Sequence, residues 1–158
     1  KAVQQQHLPA TQILTIPAPF NSLLWRVLAV DEEYYYEGFY SLLDDGHSIQ
    51  FERYPRSLEL VEPLSGSWAV QRLQWFTKGF FSAGLNGRDI IISDLRMGFE
   101  PDYVFRFKVG ELSNPHPKPA PAERQPGIRN FERLRWVWAR IWNERASEQL
   151  SVEVEGAP

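Results

Sequence analysis

The sequence predicts an α+β fold: an antiparallel sheet of about five to seven strands, one helix inserted mid-chain and one amphipathic C-terminal helix. Three observations carry this reading. Asn86-Gly87 stands between FFSAGL and RDIIISDL, a two-residue hairpin signature. Residues 103–109 (YVFRFKV) alternate apolar and polar, the period of a strand with one solvated face. Residues 68–78 and 128–148 place apolar side chains at helical spacing.

Residues 1–11 are polar and read as a linker, and a sheet domain follows over 12–111. Its first strand is QILTI, stopped by Pro17. The run Leu8 to Trp25 lacks charge, but Pro9, Pro17 and Pro19 among Thr, Gln, Asn and Ser exclude a membrane span. SLLWRVLAV (22–30) is apolar at both alternate sets, which suits a strand covered on both faces. Asp31 to Glu33 form a turn, and YYYEGFYSLL (34–43) returns beside it. With a loop of even length, Arg26 and Glu37 share a face. Asp44-Asp45-Gly46 turns the chain into SIQFERY, which ends at Pro55.

Over 68–78, Ala69, Leu73 and Phe76 form one stripe with Trp68, Arg72 and Trp75 beside it. Gly79 is a natural stop. In the Asn86-Gly87 hairpin, a type I′ turn gives Phe81, Ala83, Leu85, Ile90 and Ile92 one face, with Asp94 opposite Gly79. In 103–109, Tyr103, Phe105, Phe107 and Val109 take one side, Arg106 and Lys108 the other. Residues 112–127 carry five prolines and read as a connector. In the C-terminal helix, Phe131, Leu134, Trp138, Ile141 and Trp142 make the apolar stripe, and 149–158 is a polar tail.

Net charge is −3, so a general nucleic-acid footprint is absent. Without Cys there is neither a disulfide nor a thiolate metal site. His7, His47 and His116 are isolated, so no metal ligand set is assigned. Phosphate-binding and nucleophile-elbow motifs are missing. Asp94 and Arg96, two apart in a strand, lie on one side; they offer an anion-holding Arg and a carboxylate base, or a structural ion pair. Arg26 with Glu37, Tyr36 and Asp102 are further ligand-facing candidates. Residues 128–148 hold five Arg and three Glu. Arg129, Arg133, Trp136 and Arg140 there offer either a membrane-surface face or a solvated one.

The stretches PAPFNSLLWRV, YYYEGFYSLL, WFTKGFF and DLRMGFEPDYVFRF, in this order from about Ile16 to Phe107 and closed by an Arg- and Trp-rich helix, carry a resemblance. Together they resemble the soluble C-terminal part of the YdjM-like membrane-bound metal-dependent hydrolases of the bacterial inner membrane. The resemblance implies that transmembrane helices precede Lys1, and that a divalent metal and its His and Asp ligands belong to that membrane part. No cofactor is then expected in these residues, and the partner is the chain's own upstream region. Three functions follow as expectations. The first is an accessory domain for substrate recognition or assembly. The second is a free-standing binding module for an apolar or anionic small ligand, using inward-facing Arg26 and Arg96. The third is a complete hydrolase using Asp94, Arg96 and Glu37.

Overall fold

The computed structural model describes residues 10–18, 22–44, 49–126 and 131–142, without the side chains of 131–134. The strands are β1 (Gln12–Pro17), β2 (Leu24–Val30), β3 (Tyr34–Ser41), β4 (Phe51–Pro55), β5 (Phe81–Asn86), β6 (Asp89–Asp94), β7 (Gly98–Phe99), β8 (Asp102–Tyr103), β9 (Arg106–Glu111) and β10 (Lys118–Gln125). Helix α1 is Trp68–Thr77 and α2 is Phe131–Trp142, with short 3-10 turns at Leu58–Leu60 and Glu62–Leu64.

These strands form three antiparallel sheets, ordered β1-β2-β3-β4, β10-β9-β6-β5 and β7-β8. The expected α+β fold with one sheet of five to seven strands is therefore corrected: the chain is mostly β, with its strands divided among sheets of four, four and two. Periodicity reports that a segment is extended but not which segment it pairs with. Here the strands before Pro55 pair in chain order, and those after α1 pair among themselves. The chain also divides into two compact units. The first holds Lys1–Ala29, Tyr36–Arg53 and Asn130–Pro158; the second holds Val30–Tyr35 and Tyr54–Arg129.

In the first unit, β2 buries Leu24, Val27, Leu28 and Ala29. Helix α2 buries Val137 and Ile141. The Ser41 hydroxyl donates to the Ile141 carbonyl at 2.9 Å, and Trp136 meets Phe39 edge-on at 4.8 Å. The Arg140 guanidinium donates to both Asp44 carboxylate oxygens at 2.9 and 3.0 Å and to the Phe39 carbonyl at 3.1 Å. The helix therefore presents its faces differently from the expected stripe. Trp138 and Trp142 are 56% and 72% exposed, while Arg140 is 3% exposed. A charged side chain with a buried carboxylate and a carbonyl to meet can occupy the inward face, which stripe counting reserves for apolar residues. The expected extension of the helix to 148 lies outside the described residues.

In the second unit, α1 opens at Ser67, whose hydroxyl accepts from the Val70 N–H. It closes at Lys78, in the left-handed region at φ 53. Its buried face is Ala69, Val70, Leu73 and Thr77, whereas Trp68, Trp75 and Phe76 are exposed. Ala69, Val70 and Leu73 pack with Phe81, Ala83, Ile90, Ile92 and Val109. These five come from one face of the β5-β6-β9 sheet. The hairpin pairs Phe81 with Asp94, Ala83 with Ile92, Leu85 with Ile90 and Asn86 with Asp89. Its turn is therefore centred on Gly87-Arg88, with positive φ (61°) at Gly87 only. That is the type II′ pattern rather than type I′. The pairing moves by two residues from the expected register, so every side chain keeps its face. Asp94 consequently lies opposite Phe81, not Gly79.

The single strand expected over 103–109 is interrupted. The Val104 N–H donates to the Met97 carbonyl and the Asp94 N–H donates to the Phe105 carbonyl, which separates β8 from β9. The Pro-rich stretch, expected as a connector, supplies β10. It pairs with β9 from Lys118–Glu111 to Gln125–Arg106, with an irregularity between Pro119 and Glu123. Strand β10 stands at the sheet edge, the position that tolerates residues without an N–H donor.

Candidate functional site

The β5-β6-β9 sheet has one face against α1. Its opposite face forms the floor of a cleft of about 280 Å³, wholly within the second unit. Alternation dictates the floor: with Ala83, Ile90 and Ile92 turned to the core, Ser82, Gly84, Ile91, Ser93 and Arg106 face the cleft. Tyr35, Tyr54, Pro55 and Ser57 form one part of the wall, and Glu100, Pro101 and Tyr103 another.

Three aromatic rings stiffen the wall. Tyr35 stacks on Tyr54 at 5.2 Å and meets Tyr103 edge-on at 6.5 Å. Tyr35 and Tyr103 are buried, and Tyr54 is the half-buried member that offers a ring face. The Tyr35 hydroxyl donates to the Glu100 carboxylate at 2.5 Å. Glu100 and Tyr103 are set by the β7-β8 ribbon, which pairs Gly98 with Tyr103. Gly98 has φ 104, and a Cβ there would stand 2.4 Å from the Asp102 carbonyl oxygen. Only glycine meets both conditions.

The Pro55–Ser57 wall is fixed by Arg56. Its guanidinium donates to the carbonyls of Phe81, Asp31 and Gly79 at 3.0, 2.5 and 2.6 Å. The Ala83 N–H donates to the Arg56 carbonyl at 2.8 Å, tying this segment to β5. Burial pulls the Arg56 guanidinium below its ordinary value, and the Asp31 charge opposes that shift.

The floor row is polar across three strands. Ser82 pairs with Ser93, and Ser93 with Arg106. Among the described residues, no hydrogen bond or ion pair engages the Arg106 guanidinium or the two hydroxyls. Lys108, the next cation on β9, is engaged by Glu111 and Asp89 at 2.5 and 2.9 Å. Hydrogen bonds to Glu111 and then Asp89 raise its pKa.

The residues singled out from sequence sit elsewhere. Arg26 and Glu37 form a buried ion pair in the first unit, each side chain 4% exposed. Tyr36 is buried in the same unit. Asp94 is 1% exposed and accepts from the Arg96 backbone N–H at 3.0 Å and from its guanidinium at 2.6 and 2.9 Å. The hydrogen bond to Asp94 raises the Arg96 pKa against the effect of burial. Arg96 also lies over the Phe76 ring at 4.9 Å. Asp94 is opposite in facing to Ser93, so the pair is turned from the cleft floor. Asp102 is half-buried in the β7-β8 ribbon. None of these residues lines the cleft. Of the C-terminal set, Trp136 is half-buried and Arg140 is buried against Asp44. Arg129 and the side chain of Arg133 lie outside the described residues.

The sequence reading passed over Tyr54, Ser82, Ser93 and Arg106 as cleft residues, whereas Tyr35 belongs to the Tyr34–Tyr36 run that the sequence offers as a pocket wall. Their available signal is alternation: Ser82, Ser93 and Arg106 are the polar members of strands whose other members build the core. Among the described residues, no group of three or more His, Cys, Asp or Glu is placed to hold a metal ion. No described helix is long and apolar enough to cross a membrane. Comparison of the chain with family models, curated proteins and solved structures returns no match.

Proposed function

We propose that this chain is a recognition domain that binds a small ligand in the tyrosine-lined cleft of its second unit. The observation that carries the reading is the open sheet face: small and polar side chains form a floor beneath a half-buried tyrosine ring, where an ordinary sheet face is either packed or uniformly solvated. A cavity of about 280 Å³ suits a single-ring compound, given that a cavity of about 150 Å³ admits benzene. The resemblance to YdjM-like membrane-bound hydrolases gives this binding a context. The domain would present or select substrate for a divalent-metal centre in membrane helices of the parent protein, at the bacterial inner membrane. Asp94, Arg96 and Glu37 support a structural role better than a catalytic one, since each is engaged by an ion-pair partner.

The test is a titration of the chain with single-ring compounds, neutral and charged, followed by the tyrosine ring resonances in NMR. Saturable shifts of Tyr54 and of the Ser93 amide support the reading. Gly84→Trp should abolish them without unfolding the protein, because a Cβ at Gly84 meets nothing within 4 Å. Shifts that persist in Gly84→Trp, or that never saturate, would sink it.

A further inference from the structure

Resting on the cleft as a binding site, the geometry points to its ligand class: a single planar ring bearing an anionic oxygen group, held by Arg106 beside the hydroxyls of Ser82 and Ser93. These three side chains occupy one rung of the sheet. Neighbouring strands lie about 4.8 Å apart, so adjacent members of a rung can reach one ligand group together. All three are donors without a partner among the described residues. A half-buried guanidinium ordinarily has a counter-ion within the protein. Lys108 on the same sheet has two, and among the described residues Arg106 has none. An incoming carboxylate or phosphate would fill that place, with the planar fork of Arg106 matching either anion in bidentate fashion. The Tyr54 ring then covers the apolar part of the ligand.

The chain is titrated with benzoate, phenyl phosphate and benzyl alcohol at low ionic strength, and binding is read from the Tyr54 ring and Ser93 amide resonances. At least one of the two anions should bind about tenfold or more tighter than benzyl alcohol, as expected for a charge-assisted hydrogen-bonded contact. Their ratio shows whether the carboxylate or the phosphate is preferred. In Arg106→Gln the three affinities should converge to within about twofold, and the excess should also fall with added salt. Benzyl alcohol binding and the unfolding midpoint in Arg106→Gln report that the cleft itself is intact. Equal affinities for anions and benzyl alcohol, or an anion preference that survives Arg106→Gln, would overturn the anion assignment and leave the cleft standing. If none of the three compounds moves Tyr54, both readings fall.

Discussion

Arg26, Arg56, Arg96 and Arg140 direct their charge into the protein, and Arg106 does not. Arg26 meets Glu37, Arg96 meets Asp94 and Arg140 meets Asp44. Arg56 meets three backbone carbonyls instead of a carboxylate. Those carbonyls terminate segments that come together around the start of β5, so Arg56 substitutes for ladder hydrogen bonds that irregular chain cannot make. Arg56→Ala should lower stability by about 3 kcal/mol, the cost of stranding several buried acceptors. Urea unfolding checks this as a lower midpoint with an unchanged slope. Arg56→Lys should recover only part of the loss, because a single ammonium cannot reproduce the fork. In the sequence Arg56 follows Pro55 at a strand end, and Arg106 is a polar member of an alternating strand. Neither position reveals which carbonyls and carboxylates tertiary structure will bring to the guanidinium.

At the scale of elements, helix α1 and the β5-β6 hairpin were legible because each is specified locally. Ser67 caps the helix, Lys78 and Gly79 end it, and Gly87 permits the turn. The register could not be read from Asn86-Gly87 alone, since type I′ and II′ turns use neighbouring positions of the same dipeptide. The face assignment survived because the error was an even number of residues. Partnership between strands was not legible, and neither was β10, whose prolines signal an extended chain without saying whether it joins a sheet. The cleft was hidden for the same reason: its wall comes from segments more than forty residues from its floor in places, as Tyr35 and Ser82 show. The ribbon β7-β8 makes a direct test of how an element builds the site. Gly98→Ala adds a Cβ at positive φ, 2.4 Å from a carbonyl oxygen. We expect about 1–3 kcal/mol of destabilisation from the backbone strain. Ligand affinity should fall as well, because Glu100 and Tyr103 move with the ribbon. Parallel urea titration and NMR binding would detect a case where stability falls and binding stays intact, which would show that the ribbon does not position the wall.

On the scale of the whole molecule, the chain leaves the first compact unit after Ala29, re-enters it at Tyr36, leaves again after Arg53 and returns at Asn130. Three separate segments thus complete the first unit, whereas the sheet and helix of the second unit come almost entirely from Tyr54–Arg129. Deleting 130–158 removes α2 and with it the partners of Asp44, Ser41 and Phe39. Amide exchange should then accelerate at Phe39–Ser41 by an order of magnitude or more, roughly the loss of one buried ion pair. The amides of β5, β6 and β9 should keep their protection. Loss of protection throughout would show that the two units unfold as one.

Strand β10 has a consequence beyond the site. A four-stranded sheet with an open margin is a template on which a second chain can add, and such margins drive aggregation. Here Pro119 and Pro121 lie along that margin, and the pairing of β10 is irregular between Pro119 and Glu123. A proline offers no N–H to an incoming strand. The composition that made this stretch resemble a spacer thus also disfavours strand addition at this one margin of the sheet.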